Sequence, residues 1–207
     1  MEKIVCKLVR GNYRKIFAKI KGGKVVVYAN TKTPRKEIDD FLQKKKKDIA
    51  KVVERQKQKV SKANELEKQG KAYLFGREVL LPQKHKDRLK NVRELCKEYQ
   101  PNLRSILFEM ANRSKLKCDE LVFGNAKTLW GTCYHVGYRY DKIRLNERLI
   151  MLPRDLIEYV CMHELTHTVH HNHSKDFWNE LCKHMPDALE RRKKLRNEYG
   201  WVLEFYR

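Results

Sequence analysis

The stretch His163-Glu164-Leu165-Thr166-His167, followed by His173, sets the expectations for the rest of the chain. On an α-helix, residues i and i+4 lie on one face about one turn apart, so two imidazole rings at this spacing can reach one metal ion. Glu164 lies about 100° around the helix from His163, where its carboxylate can reach a water on that ion without being a ligand. Two surface histidines could share this spacing by chance, so the flanking sequence has to decide.

The residues before the motif favour a buried helix. Pro153 suits the first turn of a helix. Leu156 and Val160 precede His163 and His167 at helical spacing. The four residues therefore share one face of the helix, and the two histidines extend its apolar stripe. A buried imidazole needs a polar partner, and a metal ion is one such partner.

A third ligand has to come from beyond this helix, because catalytic zinc usually has three protein ligands and one position for water. His170 lies about 10 Å along the axis from His163 and is excluded while the helix continues. His173 is the favoured ligand, since Asn172 can end one helix and Ser174 can cap the next. The alternatives are Glu180, Asp187 and, more weakly, His171.

The charge of the chain is high and unevenly distributed. The 207 residues suit one large domain or two small ones, and a hydrophobic fraction of 41% is sufficient for a core. Of the net charge of +21, residues 1–100 carry +17. This excess favours nucleic acid, an anionic surface or an acidic protein as a partner. A lysine-rich surface without such a partner is the alternative.

The location of the protein and the state of its cysteines are inferred from features that the sequence lacks. No run of 18 apolar residues is present, and the first residues lack the apolar core of a secretory signal, so we expect a cytoplasmic protein without a membrane span. The six cysteines form no Cys-x-x-Cys pair, so we expect free thiols. Cys133 lies near His135, but no third partner indicates a thiol nucleophile.

The first part of the chain predicts a basic, β-rich region over residues 1–82. Alternating apolar residues predict strands over residues 1–30, with a hairpin turn at Lys21-Gly22-Gly23-Lys24. Thr33-Pro34 then opens a helix. The polar residues 54–71 indicate a solvated helix or a flexible connector, and a short hairpin follows with Gly76 at its turn. We therefore expect a small antiparallel sheet with a charged helix.

Residues 83–207 are predicted to form a second domain, which gives an α+β protein. Two helices are expected to precede a strand at residues 121–123. A hairpin is then expected to turn near Asp141-Lys142, with its second strand ending at Leu145-Asn146. Alternation at Trp201, Leu203 and Phe205 suggests a last strand.

Several further segments surround the histidine motif in a fixed order. They are Trp130-Gly131-Thr132-Cys133, Ile143-Arg144-Leu145-Asn146, Leu149-Ile150 with Pro153, Tyr159-Val160, Asn172-His173-Ser174 with Phe177-Trp178, and Met185-Pro186-Asp187. Together with the motif they resemble the YgjP-like metallopeptidase family, which is related to the SprT-like and WLM zinc proteases. The resemblance is close over about residues 118–190 and looser over the N-terminal strands, the helix and the short hairpin.

The resemblance implies a zincin-like domain in which a three-stranded sheet packs on the His-Glu-x-x-His helix. It also implies that His163, His167 and His173 bind Zn²⁺ and that Glu164 is the general base. Two departures stand out: Thr132 replaces a usual serine, and the segment from Tyr134 to Lys142 is longer than expected.

The predicted function is hydrolysis of peptide bonds in a peptide or protein substrate. Zinc activates a water, which attacks the peptide carbonyl while Glu164 takes its proton and passes it to the leaving amine. The free edge of the strand ending at Leu145-Asn146 could align an extended peptide. Candidates for stabilising the oxyanion, by proximity in the sequence alone, are Tyr134, His135 and Tyr140. The aromatic residues interpreted as core are Trp130, Phe177 and Trp178.

The alternative function is a nucleic-acid-binding or scaffold protein that keeps the metal fold without turnover. SprT-like relatives act on proteins attached to DNA, so the basic first half also suggests a peptidase associated with nucleic acid. Glu164 favours the peptidase, because a structural zinc site needs no base and is usually closed by four protein ligands.

Overall fold

The computed structural model describes residues 6–21, 24–136 and 140–205. Small sheets and helices alternate through these ranges, so the fold is mixed α and β, as predicted. No helix in these ranges has the length and apolar character needed to cross a membrane. The chain divides into two compact units, residues 1–61 and 62–207.

The first unit contains a three-stranded sheet in the order β1-β3-β2. Its strands are β1 (Cys6–Gly11), β2 (Phe17–Lys21) and β3 (Lys24–Asn30). β2 and β3 are antiparallel, but β1 runs parallel to β3, so the prediction of a wholly antiparallel sheet is wrong. The reason is that the chain passes from β1 to β2 and leaves a space between them, which β3 then fills. The two glycines of the predicted turn at Lys21-Gly22-Gly23-Lys24 lie outside the described residues.

The sheet of the first unit is followed by helix α1 (Arg35–Lys68), which is continuous over 34 residues. It begins directly after the predicted start signal Thr33-Pro34. The segment predicted as a solvated helix or a connector is helical up to Lys68, with mostly exposed polar side chains. The small core of the first unit contains Val25, Val27, Ala29, Ile38 and Ile49.

The second unit contains the remaining strands and helices. They are β4 (Lys71–Leu74), β5 (Arg77–Leu80), α2 (Arg88–Glu98), α3 (Gln100–Ser114), β6 (Glu120–Gly124), β7 (Gly131–Val136), β8 (Tyr140–Asn146), α4 (Arg154–Thr166), α5 (Lys175–His184) and α6 (Ala188–Glu198). The Phe75 N–H in the β4–β5 hairpin donates to the Ile150 carbonyl at 2.6 Å. Gly76, with φ +80°, lies against Pro153 at the start of α4. The hairpin therefore belongs to this unit, which begins at residue 62, and the two domains predicted at residues 1–82 and 83–207 stay a prediction.

The three-stranded sheet of the second unit has the order β6-β8-β7, with β8 in the middle. β6 is parallel to β8 and β7 is antiparallel to it. Asp141 pairs with His135 inside the ladder, so the turn predicted near Asp141-Lys142 is wrong, and the connection comprises residues 137–139, outside the described residues. The free edge predicted for the strand ending at Leu145-Asn146 is also wrong, because both edges of β8 are paired. β7 and β8 both contact α4.

The C-terminal residues complete the core of the second unit without a strand. Val202–Glu204 form a 3-10 helix, and Trp201 and Phe205 are buried on either side of it. The alternation that suggested a last strand therefore has another cause: Trp201 and Phe205 pack edge-to-face, with ring centroids 5.9 Å apart. This packing places both rings in the core that surrounds α4.

Candidate metal centre

Helix α4 presents the histidine motif from a largely buried position. Leu156 and Val160 are buried in the core of the second unit, and His163 follows them on the same face, half-buried. The helix ends at Thr166, and His167 is its C-terminal cap. It therefore ends well before Asn172, where the sequence indicated an end.

The turn after α4 returns His173 towards the helix. Asn172 Oδ1 accepts a hydrogen bond from the Ser174 N–H at 3.0 Å. Ser174 is the N-cap of α5, as predicted, and its hydroxyl accepts from the Phe177 N–H at 3.5 Å. As a result, the Nε2 atoms of His173 and His163 are 3.0 Å apart.

The structure brings His163, His167 and His173 together. One ring nitrogen from each residue lies within 4.8 Å of the others. The ring of Phe177 supports the cluster, since its centroid is 4.9, 4.5 and 4.8 Å from those of the three histidines in chain order. Phe177 is fully buried and Trp178 is half-buried, which agrees with their interpretation as core residues.

Hydrogen bonding selects the ring nitrogen that His167 offers. Its Nδ1 lies 2.9 Å from the carbonyl oxygen of His170 and can donate to it, which leaves the Nε2 lone pair free for an ion. His170 thus acts through its backbone carbonyl group. Its ring is not part of the cluster, as predicted. This contact could not be predicted from the sequence, because it depends on the helix ending at Thr166. In contrast, the buried Nδ1 of His163 has no hydrogen-bond partner in the described part of the chain.

The electrostatics of the cluster favour neutral imidazoles. Burial lowers the pKa of His163 to about 3, and repulsion from His167 and His173 contributes in the same direction. Burial also lowers the pKa values of His167 and His173. Neutral imidazole is the form that binds metal ions.

Glu164 follows His163 on helix α4, and its side chain lies against Gly131 of strand β7. It is only 5% exposed, and burial raises the pKa of its carboxyl group to about 8. A Cβ atom at Gly131 would lie 2.7 Å from both Cγ and Oε1 of Glu164. Gly131 therefore provides the space that the Glu164 side chain occupies. The sequence placed Gly131 in a motif but did not indicate this role.

The other predicted candidates have different partners. Glu180 accepts from His184 at 2.8 Å, and Asp187 accepts from Arg191 at 2.7 Å, so neither joins the cluster. Tyr140 donates to Glu120 at 3.0 Å. The remaining candidates lie near one another on or beside β7: Tyr134, His135 and His171.

Comparison with models of protein families places the chain beside one that is known. A model of the YgjP-like family, described as a metallopeptidase domain, matches residues 14–99 and 82–198 of the chain. Neither curated proteins nor solved structures give a match.

Proposed function

The chain belongs to the YgjP-like metallopeptidase family, and on this premise we propose that it is a zinc-dependent peptidase with a zincin-like catalytic domain. The observation that carries the proposal is the convergence of His163, His167 and His173, with Glu164 next to His163 on helix α4. Imidazole nitrogens suit zinc, and three of them leave a fourth position for water or substrate.

The three histidines fit a zinc ion in two further respects. The 3.0 Å between the Nε2 atoms of His163 and His173 is close to the roughly 3.3 Å expected between two nitrogens on one tetrahedral zinc. Burial lowers the pKa values of all three imidazoles, which favours the neutral form that binds a metal ion. We therefore assign the three histidines as the residues that would hold the ion.

In the proposed mechanism, Glu164 moves the proton. When bound, the zinc ion supplies Lewis acidity, which makes water a stronger acid and polarises a carbonyl oxygen. As a carboxylate, the form that the positive charge of a bound ion favours, Glu164 accepts a proton from the attacking water and donates it to the leaving amine. Its position against Gly131 and the core limits its rotamers, so the carboxyl group is held at the start of β7.

Strand β7 is the proposed guide for the substrate. One edge of β7 pairs with β8, and no described strand pairs with the other. An extended peptide that adds to this edge would lie beside Gly131, and hence beside Glu164. The alignment of an extended peptide, which the sequence suggested for the strand ending at Leu145-Asn146, is thus assigned to β7.

The proposal is tested by peptide cleavage with and without metal. We expect the purified protein to contain about one zinc per chain and to cleave an unfolded protein substrate, because three histidines form one catalytic zinc site. A chelator should abolish cleavage, and added zinc should restore it. Cleavage that persists after complete removal of metal would contradict the proposal.

We also propose that the protein associates with nucleic acid through a basic cleft in the second unit. The cleft has a volume of about 460 Å³, and none of its lining residues is acidic. Its cationic lining residues are Lys68, Lys84, Lys86 and Arg88. The buried side chain of Asn91 makes two hydrogen bonds of 2.9 Å to the backbone of His85, which fix this part of the wall. Phosphate groups are the anions that such a cleft would bind in nucleic acid.

Salt titration distinguishes this cleft from the general charge of the surface. We expect the affinity for a DNA duplex to fall steeply with salt, and the double variant Lys84→Glu with Lys86→Glu to lower the slope of log K against log salt by about 2. The control is Lys193→Glu with Arg196→Glu, which changes the net charge equally at exposed positions of α6. If both double variants weaken DNA binding equally, the effect is due to net charge. Binding that does not depend on salt would exclude a phosphate contact.

A further inference from the structure

A second group of polar side chains lies on the sheet beside the histidine cluster. It consists of Cys133, His135 and Asp141, whose Sγ, ring nitrogen and carboxylate oxygen lie within 4.8 Å of one another. His135 on β7 is the register partner of Asp141 on β8. The Nδ1 of His135 is 2.5 Å from Oδ1 of Asp141. This contact forms a histidine–carboxylate pair outside the proposed zinc ligands.

The pair faces the proposed catalytic centre. Side chains alternate along a strand, so His135 is on the same face of β7 as Gly131, which lies against Glu164. At the other end of this face, the rings of His135 and His171 have centroids 3.8 Å apart. His171 directly follows His170, whose carbonyl oxygen contacts His167. The same face of β7 therefore contacts the neighbourhood of the histidine cluster at both ends.

The group fits a hydrogen-bonded pair better than a second metal site. Two ligand atoms on one tetrahedral ion lie roughly 3.3 Å apart, which is well beyond the 2.5 Å between His135 and Asp141. Burial, with the nearby carboxylates of Asp141 and Glu164, raises the pKa of Cys133 to about 12, which disfavours the thiolate. Metal-binding cysteine is the thiolate.

Asp141 is itself held in place. Its backbone N–H donates to Oδ2 of Asp119 at 2.7 Å, and its carbonyl oxygen accepts from the Asp119 N–H at 2.9 Å. A fixed carboxylate on Nδ1 sets the orientation of the His135 ring, and when both ring nitrogens carry protons the Nε2–H is a hydrogen-bond donor. The His135 side chain is 32% exposed, so a substrate can reach it.

We propose that His135 is a catalytic residue that donates a hydrogen bond from Nε2 to the peptide carbonyl oxygen as it gains negative charge, with Asp141 as its positioning residue. No bond to His135 forms or breaks in this role. The inference rests on the proposed peptidase function. It also selects among the three oxyanion candidates, because Tyr134 is on the opposite face of β7 and Tyr140 is bound to Glu120.

The test compares His135→Gln with wild type in zinc content, cleavage and binding of a phosphinic peptide, whose tetrahedral phosphinate resembles the charged intermediate. We expect unchanged zinc content, a fall in kcat of about 10²–10³-fold, and KM within about threefold, since one oxyanion donor is lost. The affinity for the phosphinic peptide should fall by about 100-fold, because the analogue reports binding of the developing charge. Asp141→Asn should lower kcat by about 10–100-fold while leaving the His135 ring in place, since the carboxylate that orients the imidazole is lost.

The matched control is His184→Gln, since His184 forms a similar pair with Glu180 at 2.8 Å outside the site. It should leave kcat and phosphinic-peptide affinity unchanged. If His135→Gln does not fold, Asp141→Asn decides the question, and an unchanged kcat there would overturn the proposal.

Three further outcomes are decisive. A wild type that cleaves and a His135→Gln variant with an unchanged kcat would overturn the role of His135 alone. A second zinc per wild-type chain, lost in His135→Gln, would replace it with a metal site. A zinc-loaded wild type that cleaves no peptide would overturn the peptidase function and the role of His135 with it.

Discussion

Glu164→Gln is expected to abolish peptide cleavage while retaining zinc. The amide is nearly isosteric with the carboxylate but cannot take a proton from water at neutral pH, so the rate should fall by about 10²–10⁴-fold, the usual contribution of a general base. Zinc should be retained because the ligands in the proposed site are the three histidines. Zinc content, cleavage rate and melting temperature of the same preparation measure these effects together.

The substitution Gly131→Ala should also reduce peptide cleavage, and it tests the position of the Glu164 carboxyl group independently. The added Cβ would lie 2.7 Å from Cγ and Oε1 of Glu164, so the carboxyl group has to move, although its chemistry is unchanged. We expect cleavage to fall substantially with zinc still bound. Unaffected cleavage in Glu164→Gln would remove the general-base role. Unaffected cleavage in Gly131→Ala alone would show that Glu164 works from a different rotamer.

The sequence predicted the α+β class and many helices and strands because their signals are local. Thr33-Pro34 and Ser174 mark the starts of α1 and α5 through their own backbone and side-chain preferences. Strand order is not local. Both three-stranded sheets place their last strand between the first two. The residue pattern of β1 or β6 does not indicate that its neighbour in the sheet is a strand that comes later in the chain.

The same distinction explains what could be predicted of the candidate centre. The i, i+4 spacing and the break before His173 suggested the three histidines, and the structure brings them together. The supporting contacts depend on tertiary packing. Gly131 approaches Glu164 only because β7 packs on α4, and His135 meets Asp141 only in the register of β7 with β8. Such contacts join segments that are separate in the sequence, and the residue pattern of one segment does not predict its contact with the other.

His163→Ala is expected to lose zinc, and His170→Ala is its matched control. Changes to groups that merely orient zinc ligands already cost about 10–100-fold in affinity, so removal of a ligand from a three-histidine site should cost more. His170 carries the same ring nearby, but its contact with His167 is made by the backbone carbonyl, which alanine preserves. Its substitution should therefore leave zinc affinity nearly unchanged.

Competition with a chromogenic chelator gives both affinities on one scale, and circular dichroism shows whether each variant is folded. Because α4 is anchored by buried residues such as Leu156 and Val160, we expect both variants to keep their helical content without metal. Full zinc retention in His163→Ala would remove the ligand assignment. Loss of zinc in His170→Ala would instead show that its ring moves into the centre when the ion binds, and that the turn after α4 rearranges to allow it.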